Sequence, residues 1–145
     1  MKNTIKEYTT HEQSEHLVEL GFPIERATAH YKRTYNMFPE LEGGPYGWKL
    51  YLDFDPEKHV SETRGPAFSL AALVDFLPNF IESGHTSPSE LDLGKTRVCY
   101  KYYDFVGDCD MAQFQAYNDS FFECVYDTVC WLLENNLIPK KDAAN

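Results

Sequence analysis

Residues 118–136, NDSFFECVYDTVCWLLENN, repeat apolar side chains at helical spacing. Phe121, Val125, Val129 and Leu132 fall on one face, and Phe122, Trp131 and Leu133 widen it. A helix that long with so broad an apolar side has to be covered, which dictates what the rest of the chain must supply. Asp119 or Ser120 can cap its start, and the pair Asn135-Asn136 suits its end, where asparagine tolerates left-handed geometry. The cover is expected from segments of period two. In WKLYLDF (48–54), Trp48, Leu50, Leu52 and Phe54 alternate with Lys49, Tyr51 and Asp53. In TRVCYKYYDF (96–105), Val98, Tyr100 and Tyr102 alternate with Cys99, Lys101 and Tyr103.

Two further helices are expected. TTHEQSEH (9–16) has the histidine–glutamate order of a zinc hydrolase, but His11 and His16 are five residues apart. Five steps of a helix turn the side chain by roughly 140°, so the two imidazoles cannot share an ion as the H-E-x-x-H spacing allows. The stretch reads instead as a helix start with solvated histidines: Thr10 and Gln13 form a capping box, with Thr9 and Glu12 as the register before it. Leu17, Val18 and Leu20 give the apolar side, and Gly21 with Phe22-Pro23 ends the helix. AFSLAALVDFLPNFI (67–81) is a second helix, capped by Ser69, striped by Leu70, Leu73, Val74 and Leu77, and stopped or kinked by Pro78. Residues 23–38 alternate in part and suit a half-buried strand, with a helix as the other reading. Segments 39–47, 55–66, 83–95 and 106–115 read as turns or loops.

With 145 residues the chain is expected to form one domain, 1–145, able to bury a core without staples. Aromatics make up 15% of it, which is not the composition of a disordered chain. The formal charge of −10 disfavours bulk attraction to nucleic acid or an anionic membrane. Residues 1–65 hold 8 basic and 11 acidic side chains and residues 66–145 hold 5 and 12, so the excess is mainly C-terminal. Cys99, Cys109, Cys124 and Cys130 form no C-x-x-C pair. The opening MKNTIKEYTT lacks the apolar stretch of a secretory signal, and no run is long enough to span a bilayer. A reducing cytoplasm is the expected location.

No catalytic constellation is legible. There is no nucleophile elbow and no phosphate-cradling loop, and EGGPYG has neither the spacing nor the lysine of one. DFVGDCDM (104–111) gathers Asp104, Asp108 and Asp110 around Gly107. A calcium loop needs a different spacing and a closing glutamate, so these three acids read as a contact surface. The carboxylate pairs in ELE (40–42) and DFD (53–55) read as solvated. The aromatic strands resemble base-stacking platforms, but they carry only Lys49, Arg97 and Lys101 and so lack the basic groove such platforms use.

Three blocks, THEQSEHLVELGFP (10–23), GPAFSLAALVDFLP (65–78) and FFECVYDTVCWLLENNLI (121–138), together resemble small proteins of Bacteroides-type gut bacteria that accompany prophages and other mobile elements. The blocks cover 46 of the 145 residues, in the family's order. His11, Phe68 and Asn136 depart from its pattern. The resemblance carries no established activity, ligand or catalytic residue, and implies only a mobile-element setting.

The expected architecture is α+β: a small, mainly antiparallel sheet packed against two or three helices, the longest at the C-terminus. The expected function is that of an accessory protein that binds another protein or a second copy of itself, with no cofactor, metal, nucleic acid or membrane. The rival readings are a metal-dependent hydrolase built on Asp104, Asp108 and Asp110, and an acidic mimic of DNA.

Overall fold

A computed structural model describes residues 6–85 and 87–137. The opening MKNTI, Thr86 and Ile138, the last residue of the third block, lie outside them. The architecture is α+β with every strand pairing antiparallel, in two sheets where one was expected. The chain clusters into two compact units, residues 1–72 and 73–145.

The first unit begins with helix α1 (His11–Glu19). Both bonds of the expected capping box are made: Gln13 N–H donates to Thr10 Oγ1 (3.1 Å) and Thr10 N–H donates to Gln13 Oε1 (3.0 Å). The end is a Schellman motif. Gly21 takes a positive φ of 99°, its N–H bonds to Val18 O, and Phe22 N–H bonds to Leu17 O. Leu17 and Phe22 are both buried, and Phe22 meets Phe68 edge to face at 4.7 Å. After a single 3-10 turn, Ile24–Arg26, strand β1 (Ala29–Tyr35) runs into a connection holding the one-turn helix α2 (Pro39–Glu42). Strands β2 (Tyr46–Tyr51) and β3 (Arg64–Ala67) complete a sheet of order β2-β1-β3. Helix α1 covers one of its faces, with His11 stacked on Trp48 at 3.5 Å and edge-on to Tyr31.

Helix α3 (Leu70–Phe76) crosses the division between the units, and Ser69 caps it by accepting from Ala72 N–H (3.1 Å). The second unit adds β4 (Phe80–Ile81), β5 (Ser89–Gly94), β6 (Arg97–Asp104) and β7 (Cys109–Tyr117), in sheet order β4-β5-β6-β7. Helix α4 (Phe121–Glu134) packs on β6 and β7. Ser120 caps it, and Asn136 at φ 53° closes it with the same Schellman bonds that end α1, Leu137 N–H to Leu132 O and Asn136 N–H to Leu133 O. Its inward side is Phe122, Val125, Val129, Leu132 and Leu133, all buried, while Trp131 stacks on Phe114 at 4.5 Å.

Several local expectations are corrected. Residues 106–115, read as a loop, are largely β7, which has no β-branched residue and an irregular register against β6. The turn-rich 83–95 contains β5. Leu52, expected inward on an extended strand, is exposed, because β2 ends at Tyr51. His11, expected in solvent, is packed against Trp48. No helix among the described residues is long and apolar enough to cross a membrane.

Candidate functional site

The densest group of reactive side chains lies in the first unit, where the segment after β2 folds back onto β1. Asp55-Pro56 opens a tight turn: Asp55 Oδ1 accepts from Glu57 N–H (3.0 Å), and Asp55 O accepts from the N–H groups of Lys58 and His59 (3.0 and 2.8 Å). Asp55 N–H in return donates to His59 Nδ1 (2.8 Å). That reciprocal clasp sets the His59 ring flat on His30 of β1, with centroids 3.7 Å apart and planes within 7°. Tyr51 stacks on His30 at 5.3 Å. Both histidines are buried. His30 Nδ1 lies 2.6 Å from Asp53 O and 3.5 Å from the Asp53 carboxylate.

Potential ligand atoms of His30, Asp53 and His59 lie within 4.8 Å of one another, the one such trio among the described residues. The hydrogen bonds settle what it can hold. A carbonyl only accepts, so His30 Nδ1 carries a proton. An amide N–H only donates, so the His59 lone pair sits on Nδ1 and is already engaged. A metal ion lies about 2.0–2.1 Å from a ligating nitrogen and near its ring plane. Two parallel rings at stacking distance have no common plane, so no ion can sit well with both. The trio is a hydrogen-bonded stack that pins the segment to β1, and as arranged it is not a metal cage.

Of the three acids read as a contact surface, Asp104 ends β6, Asp108 lies in the turn and Asp110 is in β7. Asp104 Oδ1 accepts from Val106 N–H (3.1 Å), and the Tyr103 hydroxyl donates to Asp108, which has φ 51°. Asp110 lies opposite Tyr103. Phe105 and Val106 at the tip are exposed. Three of the four cysteines are buried, with burial pushing their thiols up, Cys130 to about 11. Such thiols are not poised as nucleophiles.

A second feature is the connection between β1 and β2. Tyr35, Met37, Phe38, Leu41 and Tyr46 are all exposed, Met37 and Leu41 by 83% and 86%. The connection is nonetheless firmly built. Asn36 N–H donates to Pro45 O, Asn36 Nδ2 to Gly44 O (2.9 Å), Gly44 N–H to Pro39 O, and Phe38 N–H to the Glu42 carboxylate (3.2 Å). Gly43, at φ 85°, ends α2 in the left-handed region that glycine adopts freely. Tyr35 and Tyr46 pair across the strands with rings 5.2 Å apart, and the Arg33 guanidinium lies over Tyr46 at 4.8 Å.

Fold and site together define an α+β protein of two small antiparallel sheets with an apolar hairpin cap and a stacked histidine pair. The chain matches no protein-family model, no curated protein and no solved structure.

Proposed function

We propose that the protein is a non-catalytic binding domain that docks onto another protein, in the bacterial cytoplasm and in the setting of a prophage or other mobile element. The β1–β2 cap supports this reading. Five large apolar side chains are held outward within twelve residues, where an ordinary monomer scatters its exposed apolar groups singly. Tyrosine, phenylalanine and methionine are the types that protein interfaces favour. The hydrogen bonds within the connection pre-order it, which lowers the entropy lost on docking. Glu40 and Glu42 of α2 stand beside the apolar group. The matching surface is therefore an apolar recess with basic groups on its rim.

The test compares the parent with a Met37→Asp/Leu41→Asp double variant. Both positions are exposed, so both proteins should melt alike. A partner retained from a Bacteroides-type lysate by the parent, and bound at least about tenfold more weakly by the variant, is the expected result. Equal retention by both proteins, or a turnover that disappears when one carboxylate or histidine is replaced, would sink the reading.

A further inference from the structure

The face of the first sheet opposite α1 carries a line of cations. Directly opposed residues of an antiparallel pair share a face. Lys32 of β1 is opposite Lys49 of β2 on one side and opposite Arg64 of β3 on the other. The three basic side chains therefore stand in a row across all three strands, at about 4.8 Å per step, so the row spans roughly 10 Å. Contacts confirm the face. Lys49 Nζ lies 5.5 Å from the centre of the Tyr51 ring, and Tyr51 stacks on His30, two residues from Lys32. Arg33, which points the other way, lies over Tyr46.

Lys32 and Lys49 are exposed and Arg64 is half-buried. None of the three makes an ion pair among the described residues, whereas Arg97 and Lys101 both reach Asp92. Like charges placed directly opposite one another destabilise a sheet, and Lys32 is so placed twice. Asp53, whose carboxylate reaches His30 on this face, pairs with none of the three.

We infer that the row is an anion-binding site for a compact phosphate-bearing molecule of two or three negative charges. Phosphate suits the donor set: the arginine fork and the two ammonium groups give charge-assisted hydrogen bonds, and Thr34, next along the same face of β1, adds a hydroxyl. The chain's charge sets the size. A compact anion can reach all three cations within a screening length of about 8 Å, with the Asp53 carboxylate beside His30 opposing them. A long polyanion must run past them onto a surface where acids outnumber bases, 23 to 13. The row stands on the other face of the sheet from Arg33 and Tyr46 of the cap and does not depend on the docking proposed for it.

Calorimetric titration of the full chain with inorganic pyrophosphate at low salt, beside an oligothymidylate, tests the inference. Pyrophosphate should bind at one site, and Lys32→Gln and Arg64→Gln should each weaken it by about tenfold or more, the loss of one charged contact. Free Lys32→Gln should also melt above the parent, because two like-charge oppositions are gone, while the upward shift that pyrophosphate gives the parent disappears. A lysine kept for structure alone would not produce that pair of results. The inference is overturned by no binding at millimolar pyrophosphate or by unchanged affinity in both variants. It is also overturned if oligothymidylate binds more tightly than pyrophosphate with a log–log salt slope steeper than about −2, the value for three phosphates of a single strand.

Discussion

The buried Thr9 side chain joins three hydrogen bonds into a relay. Phe68 N–H donates to Thr9 Oγ1 (3.1 Å), and Thr9 Oγ1 lies 2.6 Å from Ser14 Oγ. Ser14 spends its own proton on Thr10 O (2.8 Å), which makes Thr9 the donor between the two hydroxyls. Thr9→Val keeps the shape and strands the Phe68 N–H in the core. The expected cost is about 1–3 kcal/mol, read as a lower urea midpoint at unchanged m, with Thr9→Ser losing clearly less. Asp127 on α4 is the opposite case. Partial desolvation first, and Glu123 one turn away second, push the carboxyl of this exposed residue above the ordinary value of 3.8. A raised acid contributes stability below its unfolded pKa and loses it as pH rises through the folded one. At pH 7 the charge is therefore a burden, and Asp127→Asn should melt slightly higher than the parent. The i, i+4 repulsion it removes accounts for about 0.2–0.5 kcal/mol. That advantage should vanish below about pH 4, where the parent's carboxyl is itself neutral.

Among elements, the clasp that closes the segment after β2 is the sharpest test of the histidine pair. His59→Phe keeps a ring on His30 and removes the acceptor of Asp55 N–H, for an expected loss of about 1 kcal/mol. His59→Ala loses the stack too and should cost more, and Zn²⁺ should leave the parent's melting temperature unchanged. A zinc-induced rise that His59→Ala abolishes would show that the rings part to take an ion. This clasp was not legible in the sequence, whereas the helices largely were, and the difference is one of range. The caps of α1, α3 and α4 depend on residues three positions apart, Thr10 with Gln13, Ser69 with Ala72, Ser120 with Glu123, so local pattern reveals them. His30 sits on the side of β1 that alternation assigns to the outside, and it is buried by a loop residue 29 positions later. β7 was hidden because CDMAQFQAY has no β-branched residue, and a register shift between Phe114 and Ala112 breaks its alternation; it is a strand through its pairing with β6. The cation row escaped for a related reason. Counted strand by strand, the bases on its face are one each; only the register puts Lys49, Lys32 and Arg64 side by side.

At the scale of the whole molecule, charge decides how the protein answers to salt. The first unit holds 8 basic and 11 acidic side chains and the second 5 and 12, so each has a surplus of like charge and the second much more. Such a surplus weakens a compact state by self-repulsion. The screening length falls from about 30 Å at 0.01 M to about 8 Å at 0.15 M ionic strength, so added NaCl relieves repulsion between all but the nearest carboxylates. Salt also weakens the ion pairs of Asp92 with Arg97 (2.7 Å) and Lys101 (3.2 Å), but half-exposed pairs of this kind contribute about 0–1 kcal/mol each. At that size each such pair is small beside repulsion summed over a surplus of ten charges. The melting temperature should therefore rise between 0.01 and 0.15 M NaCl, by about 4 °C for each kcal/mol relieved. Pyrophosphate binding at the Lys32 row should respond with the opposite sign, since screening weakens an attraction as readily as it relieves a repulsion. The free protein gains from salt while the stabilisation by its anion shrinks, so the two melting curves converge as NaCl is added. A melting temperature that falls with salt in the free protein would mean that the carboxylates are already compensated by local partners, and that the −10 surplus is not the quantity that governs its stability.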